Sequence, residues 1–138
     1  MSVSHLLAVI GAAVAVFLLG ALWYSPLLFA NLWMKANRYT AEDLKQKQAT
    51  AGRAYAVSFA CYLVMAAVFC VVLAHVGADT AAEGAGWGFH IWLGFALTLG
   101  LTANMFSDKP LAAFAIDAGY QLVYLVMMGA ILAKWGIS

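Results

Sequence analysis

The sequence predicts an all-α polytopic membrane protein: one four-transmembrane-helix bundle over residues 1–138, with a kinked first helix and a cytoplasmic helical extension before the second. Three observations predict it. First, 66% of the 138 residues are hydrophobic and only 9% are charged, an imbalance that leaves too little polar surface to cover a water-soluble core. Second, apolar stretches of about twenty residues recur four times, each long enough to cross a hydrocarbon layer of about 30 Å as a helix. Third, turn-forming clusters separate them: Ser25-Pro26, then His75-Val76-Gly77-Ala78-Asp79, then Ser107-Asp108-Lys109-Pro110.

The first apolar run extends from Val3 to Met34, broken only by Ser4, His5, Ser25, Pro26 and Asn31. A straight helix of that length reaches about 45 Å, which overshoots the bilayer. Pro26 lacks an amide hydrogen and clashes with the preceding turn, so the span is expected over about residues 4–25. Beyond the kink, a short interfacial piece carries Phe29, Trp33 and Met34 at the headgroups, with Trp23 and Tyr24 in an aromatic belt. No basic segment precedes this run, so it reads as a retained span and not a cleaved signal.

Residues 35–53 are the one strongly polar part, with Lys35, Arg38, Glu42, Asp43, Lys45, Lys47 and Arg53. Thr40 followed by Glu42 and Asp43 has the pattern of a capped helix start, so the second helix is expected to begin in water near Ala41. It then enters the membrane to span about residues 54–75. Gly84, Gly86 and Gly88 are read with the preceding turn, which places the third span at about residues 86–106. Pro110 suits a first helical turn, and the fourth span follows at about residues 111–135.

Lys35, Arg38, Lys45, Lys47, Arg53 and Lys109 fall in the first and third connections, against Lys134 alone on the other side. Under the positive-inside rule, the connection at residues 35–53 is cytoplasmic and both termini lie outside. The partners expected are the lipid bilayer and further copies of the chain. A net charge of +1 offers no field for nucleic acid.

Asp117 is the one acid set well inside a span, where a carboxylate must be protonated, paired or wet. Tyr120, Gln121, Tyr124 and Met128 follow it at spacings of three and four, forming one helical face. Two readings stand for this stripe. It is either a hydrogen-bonded packing seam, with Asn104, Tyr55 or Tyr62 as partners from other helices, or a site for a proton, cation or small polar solute. Tyr55, Ser58, Phe59, Tyr62, Ala66 and Phe69 share a face of the second helix. Gly94, Thr98 and Thr102 share one of the third, and Ala8, Gly11, Ala12 and Ala15 form a small-residue packing face on the first.

His5, His75 and His90 all map to the outer boundary, but none lies in a ligand-spaced motif, which makes them only weak metal candidates. Cys61 and Cys70 are nine residues apart, on opposite sides of one helix, and cannot bridge each other. No phosphate-binding glycine loop, zinc-protease helix or nucleophile elbow is present. The expectation is therefore no cofactor and no catalysis.

Two segments carry a resemblance: Trp23-Tyr24-Ser25-Pro26-Leu27-Leu28-Phe29 with Trp33-Met34, and Ile116-Asp117-Ala118-Gly119-Tyr120-Gln121 through Met128 to Trp135. On these the chain resembles the small bacterial membrane proteins catalogued as domain of unknown function 1761. That resemblance implies a compact four-helix domain in a bacterial inner membrane, with no established activity and no catalytic residues. The function expected is assembly or binding by a self-associating protein. The alternative is a transporter or channel subunit built on Asp117, with any solute path at an oligomer interface.

Overall fold

The computed structural model describes residues 2–136, and among them every regular element is helical. Helix α1 (Val3–Trp23) starts from a capping box in which Ser2 and His5 satisfy each other's amides. It stops where Tyr24, Ser25 and Pro26 leave helical geometry, and the chain turns through residue 29 before re-forming as the short α2 (Ala30–Asn37). The Phe29 amide reaches back to the Trp23 carbonyl at 3.0 Å, which folds α2 against the end of α1.

Arg38 ends α2 in left-handed geometry (φ 58°). Thr40 then caps α3 (Ala41–Ala49) in a reciprocal box with Asp43. The helix expected to run unbroken from Ala41 into the membrane is divided: Thr50 (φ −109°, ψ 5°) leaves helical geometry before α4 (Ala51–Val76) begins. Gly77 takes φ +72° at the end of α4, which lets the Ala78 amide bond the Leu73 carbonyl in a Schellman closure.

Helix α5 runs Ala81–Ser107 and α6 runs Leu111–Gly136, each with a π-helical turn, at Trp92–Ala96 and Leu132–Gly136. The glycines Gly84, Gly86 and Gly88 thus lie inside α5, not in the turn where they were expected. Thr80 caps this helix, accepting from the Glu83 amide at 3.2 Å, and moves its start ahead of the glycines. Close approach explains them: a Cβ on Gly84 would overlap the Gly129 carbonyl, and one on Gly88 would overlap the Leu125 carbonyl. The α5 and α6 backbones touch there, as small residues allow in membranes.

Helices α1, α4, α5 and α6 are each long and apolar enough to cross a membrane. Helix α6 is the hub, packing on α5, α1, α4 and α2, while α5 touches the bundle chiefly through α6. Val16, Leu73, Met128 and Leu132 are fully buried between α1, α4 and α6. The side chains of α5 beyond Trp92 are mostly exposed, Phe95, Leu99 and Met105 among them, as suits lipid-facing positions.

Candidate functional site

The turn of α6 around Asp117 collects more long-range hydrogen bonds than any other place described. The Tyr24 hydroxyl donates to Asp117 Oδ1 at 2.6 Å, and the Trp33 indole N–H donates to the same oxygen at 3.0 Å. Both donors come from the connection after α1. Their rings meet edge to face with centroids 5.7 Å apart, so each fixes the other's aim. On either side of Asp117, Trp23 donates to the Ile116 carbonyl at 3.1 Å and Trp92 to the Ala118 carbonyl at 2.9 Å. Three indoles and a phenol from α1, the connection and α5 therefore converge on one helical turn.

One turn further along α6, the buried Tyr120 hydroxyl donates to the Val16 carbonyl at 2.9 Å and stands 3.2 Å from the Tyr62 hydroxyl. Tyr24, Tyr120 and Tyr124 form an edge-to-face row, with centroids 5.4 and 4.9 Å apart, and Tyr62 closes it from α4 at 5.6 Å from Tyr124. Gly20 makes room for this row, since a Cβ there would lie 2.7 Å from the Tyr120 hydroxyl.

The residues grouped by periodicity separate in space. Tyr120, Tyr124 and Tyr62 meet as a cluster with Met128 buried beside them, and Tyr24 links Asp117 to it. Gln121 is half-buried and takes no part in the Asp117 bonds. Asn104 turns away to donate to the Lys109 carbonyl at 3.1 Å, closing the α5–α6 turn, and the exposed Tyr55 packs edge-on against Phe17. Neither partners Asp117. Sequence reasoning placed Tyr24 and Trp33 in an aromatic belt and missed them as the carboxylate's partners. Their only signal was two donors near Pro26 at the depth of the lone intramembrane acid.

The packing candidates also divide. Ala8 and Ala12 are buried, whereas a Cβ on Gly11 or Gly94 would meet nothing within 4 Å, so both look outward; Ala15 is half-buried. The histidines fold back locally: His5 into the Ser2 cap, His75 Nδ1 2.9 Å from the Val71 carbonyl, and His90 Nδ1 2.7 Å from the Gly86 carbonyl. Among the described residues, no three His, Cys, Asp or Glu side chains gather as a metal site would need. Cys61 is exposed and Cys70 buried, and both are free thiols.

Two clefts open elsewhere. One of about 500 Å³ lies in the connection, among residues of α2, α3 and Thr50. The other, of about 390 Å³, is an apolar groove between the start of α1 and the end of α6, lined by Ser4, Leu7, Ala8, Gly11, Ile131 and Trp135. Asp117 lines neither of them. In chemical terms the Asp117 turn is a clasp: it accepts hydrogen bonds from a segment that would otherwise hold its polar groups in lipid.

Compared with known proteins, residues 7–133 match a family model described as a protein of unknown function, DUF1761. No curated protein and no solved structure matches the chain.

Proposed function

We propose that this chain, which belongs to the DUF1761 family, is a self-associating multi-pass membrane protein with an assembly or binding role. The observation that carries the reading is that both donors on Asp117 come from the chain's own connection. An acid satisfied in this way holds α2 against α6, and its chemistry is that of a packing seam. Self-association is supported by the apolar groove between α1 and α6, where Gly11 leaves room for the backbone of a second copy's helix.

We place the protein in a bacterial inner membrane, with its termini outside and the basic connection in the cytoplasm, on the asymmetry of Lys and Arg. Catalysis has no part in this reading. Lipid and further copies of the chain are the partners it calls for.

Gly11→Leu tests the assembly role, because a Cβ there would meet nothing within 4 Å and the longer side chain would extend into the groove that a second copy is to occupy. The parent is expected to run as an oligomer by light scattering in detergent and the variant as a monomer with unchanged helicity. A monomeric parent, or a variant that still assembles, refutes self-association through this face. A second reading, transport of a proton, cation or small polar solute, draws on one feature: Asp117 Oδ2 takes neither of the two bonds. Proteoliposome flux that falls in Asp117→Asn would support it, and equal flux in both proteins would remove Asp117 from any pathway.

A further inference from the structure

The clasp leaves unused a cleft in the connection whose lining differs in kind from the rest of the molecule. Arg38, Lys47 and Tyr39 line it, and Gln46, Thr50 and Asn37 add further polar groups. The Lys47 ammonium sits 4.5 Å from the centre of the Tyr39 ring, which holds this cation in place. Asp43 is the one acid in the lining. Its carboxylate accepts the Thr40 amide at 2.9 Å, and that bond, with the Thr40 hydroxyl, keeps its pKa below the usual carboxylate range. Its charge is engaged at the start of α3 and also attracts Lys47, one turn further on, so an incoming anion shares that cation with it. Arg38, also in the lining, occupies a backbone position (φ 58°) that a residue with a Cβ rarely adopts.

The segment that leads into the cleft bears on what can reach it. Trp33 of α2 is bonded to Asp117, six residues into α6, so its side chain meets that helix about 9 Å along from its start. Leu27, Leu28 and Leu32 point outward from the same segment and are exposed, as at an acyl boundary. Arg38 follows Leu32 within two helical turns. Exposed apolar side chains thus lie just ahead of two cations and amide donors on one short segment, an arrangement suited to a lipid phosphate and its acyl chains.

We propose that this cleft binds the phosphate of an anionic phospholipid headgroup, with Arg38 and Lys47 as the charged contacts and Gln46 as a donor. Free phosphate shares the chemistry but lacks the acyl chains that Leu27, Leu28 and Leu32 would meet.

The test reconstitutes the full chain in phosphatidylcholine with a minority of phosphatidylglycerol, then measures by mass spectrometry which lipid stays bound after extraction in detergent. The parent is expected to enrich phosphatidylglycerol, and Arg38→Gly and Lys47→Gln each to cut the enrichment about fivefold. Arg38→Gly relieves the left-handed backbone, so this loss comes without loss of stability. Lys45→Gln removes the same charge from the face of α3 turned about 200° from Lys47, and is expected to keep the enrichment. An unenriched parent, an Arg38→Gly variant that enriches fully, or an equal loss in Lys45→Gln would overturn the site. Inorganic phosphate that binds the protein in pure phosphatidylcholine, and in the mixed membrane displaces phosphatidylglycerol mole for mole, would overturn the lipid assignment.

Discussion

Tyr24→Phe removes one hydroxyl and leaves the ring, so it isolates half of the clasp on Asp117. The bond it deletes is 2.6 Å long and joins residues 93 apart in sequence. Hydrogen bonds between membrane helices contribute about 0.6 kcal/mol on average and up to about 1.7. A short bond to a carboxylate belongs at the upper end, so a loss of about 1.5 kcal/mol, or about tenfold in the unfolding equilibrium, is expected. Asp117→Leu removes the acceptor for both Tyr24 and Trp33 and leaves two donors unsatisfied, which raises the expected cost to about 3 kcal/mol. Asp117→Asn keeps a carbonyl oxygen at the same place and should cost less than Tyr24→Phe. The assay is unfolding in mixed micelles of increasing dodecyl sulfate fraction, followed by tryptophan fluorescence, with the double variant closing the cycle. In the Asp117→Leu background, Tyr24→Phe should cost almost nothing more, because its partner has gone. If the two losses simply add, or if Asp117→Leu unfolds at the parent's midpoint, the clasp does not hold the connection and the reasoning fails.

Two further outcomes follow from contacts elsewhere. Gly88→Leu should pry α5 from α6, because even a Cβ there overlaps the Leu125 carbonyl; its unfolding midpoint in dodecyl sulfate should fall well below the parent's, while Gly94→Leu, whose Cβ would meet nothing within 4 Å, should keep it. The Thr40–Asp43 box should be acid-sensitive: Asp43's pKa is depressed in the folded chain, so its contribution is complete above the unfolded carboxylate pKa and is lost as pH falls through the folded value. A falling amide protection factor at the start of α3 on acidification, with the intrinsic pH dependence of exchange divided out, and no such fall in Asp43→Asn, would show this.

The four spans were legible because apolar length is a strong signal and lipid admits few backbone solutions. Boundaries went astray where a local device outweighed composition. Thr40 announced α3, but nothing in Lys45 to Arg53 marks the break at Thr50. The three glycines of α5 read as a turn because their tolerance in a helix depends on Gly129 and Leu125, far along the chain. Asp117 was legible as a candidate through its cost in lipid, and Tyr120, Tyr124 and Tyr62 through helical spacing. Tyr24 and Trp33 were not, since they reach Asp117 only after the chain folds back at Pro26, a direction no periodicity encodes. The π-helical turns at Trp92–Ala96 and Leu132–Gly136 carry no sequence mark at all.

Clasp and cleft are joined by a short chain of side chains. Asp117 accepts from Trp33, whose ring meets Tyr39 edge to face at 5.1 Å, and Tyr39 in turn carries the Lys47 ammonium. A lipid phosphate held by Lys47 would fix Tyr39, hence Trp33, hence the bond to Asp117, and the coupling must run equally in both directions. Asp117→Leu should therefore weaken phosphatidylglycerol retention although it touches no wall of the cleft. Phosphatidylglycerol should in turn slow amide exchange across α2 in the parent and have no such effect in Asp117→Leu. The sign can be checked independently with Trp33→Phe, which keeps an aromatic ring against Tyr39 but deletes the donor. If it retains the lipid as the parent does, Tyr39 is held by its ring contacts alone and the two sites act separately. If retention falls with Asp117→Leu and Trp33→Phe alike, the indole hydrogen bond is the link that carries the coupling.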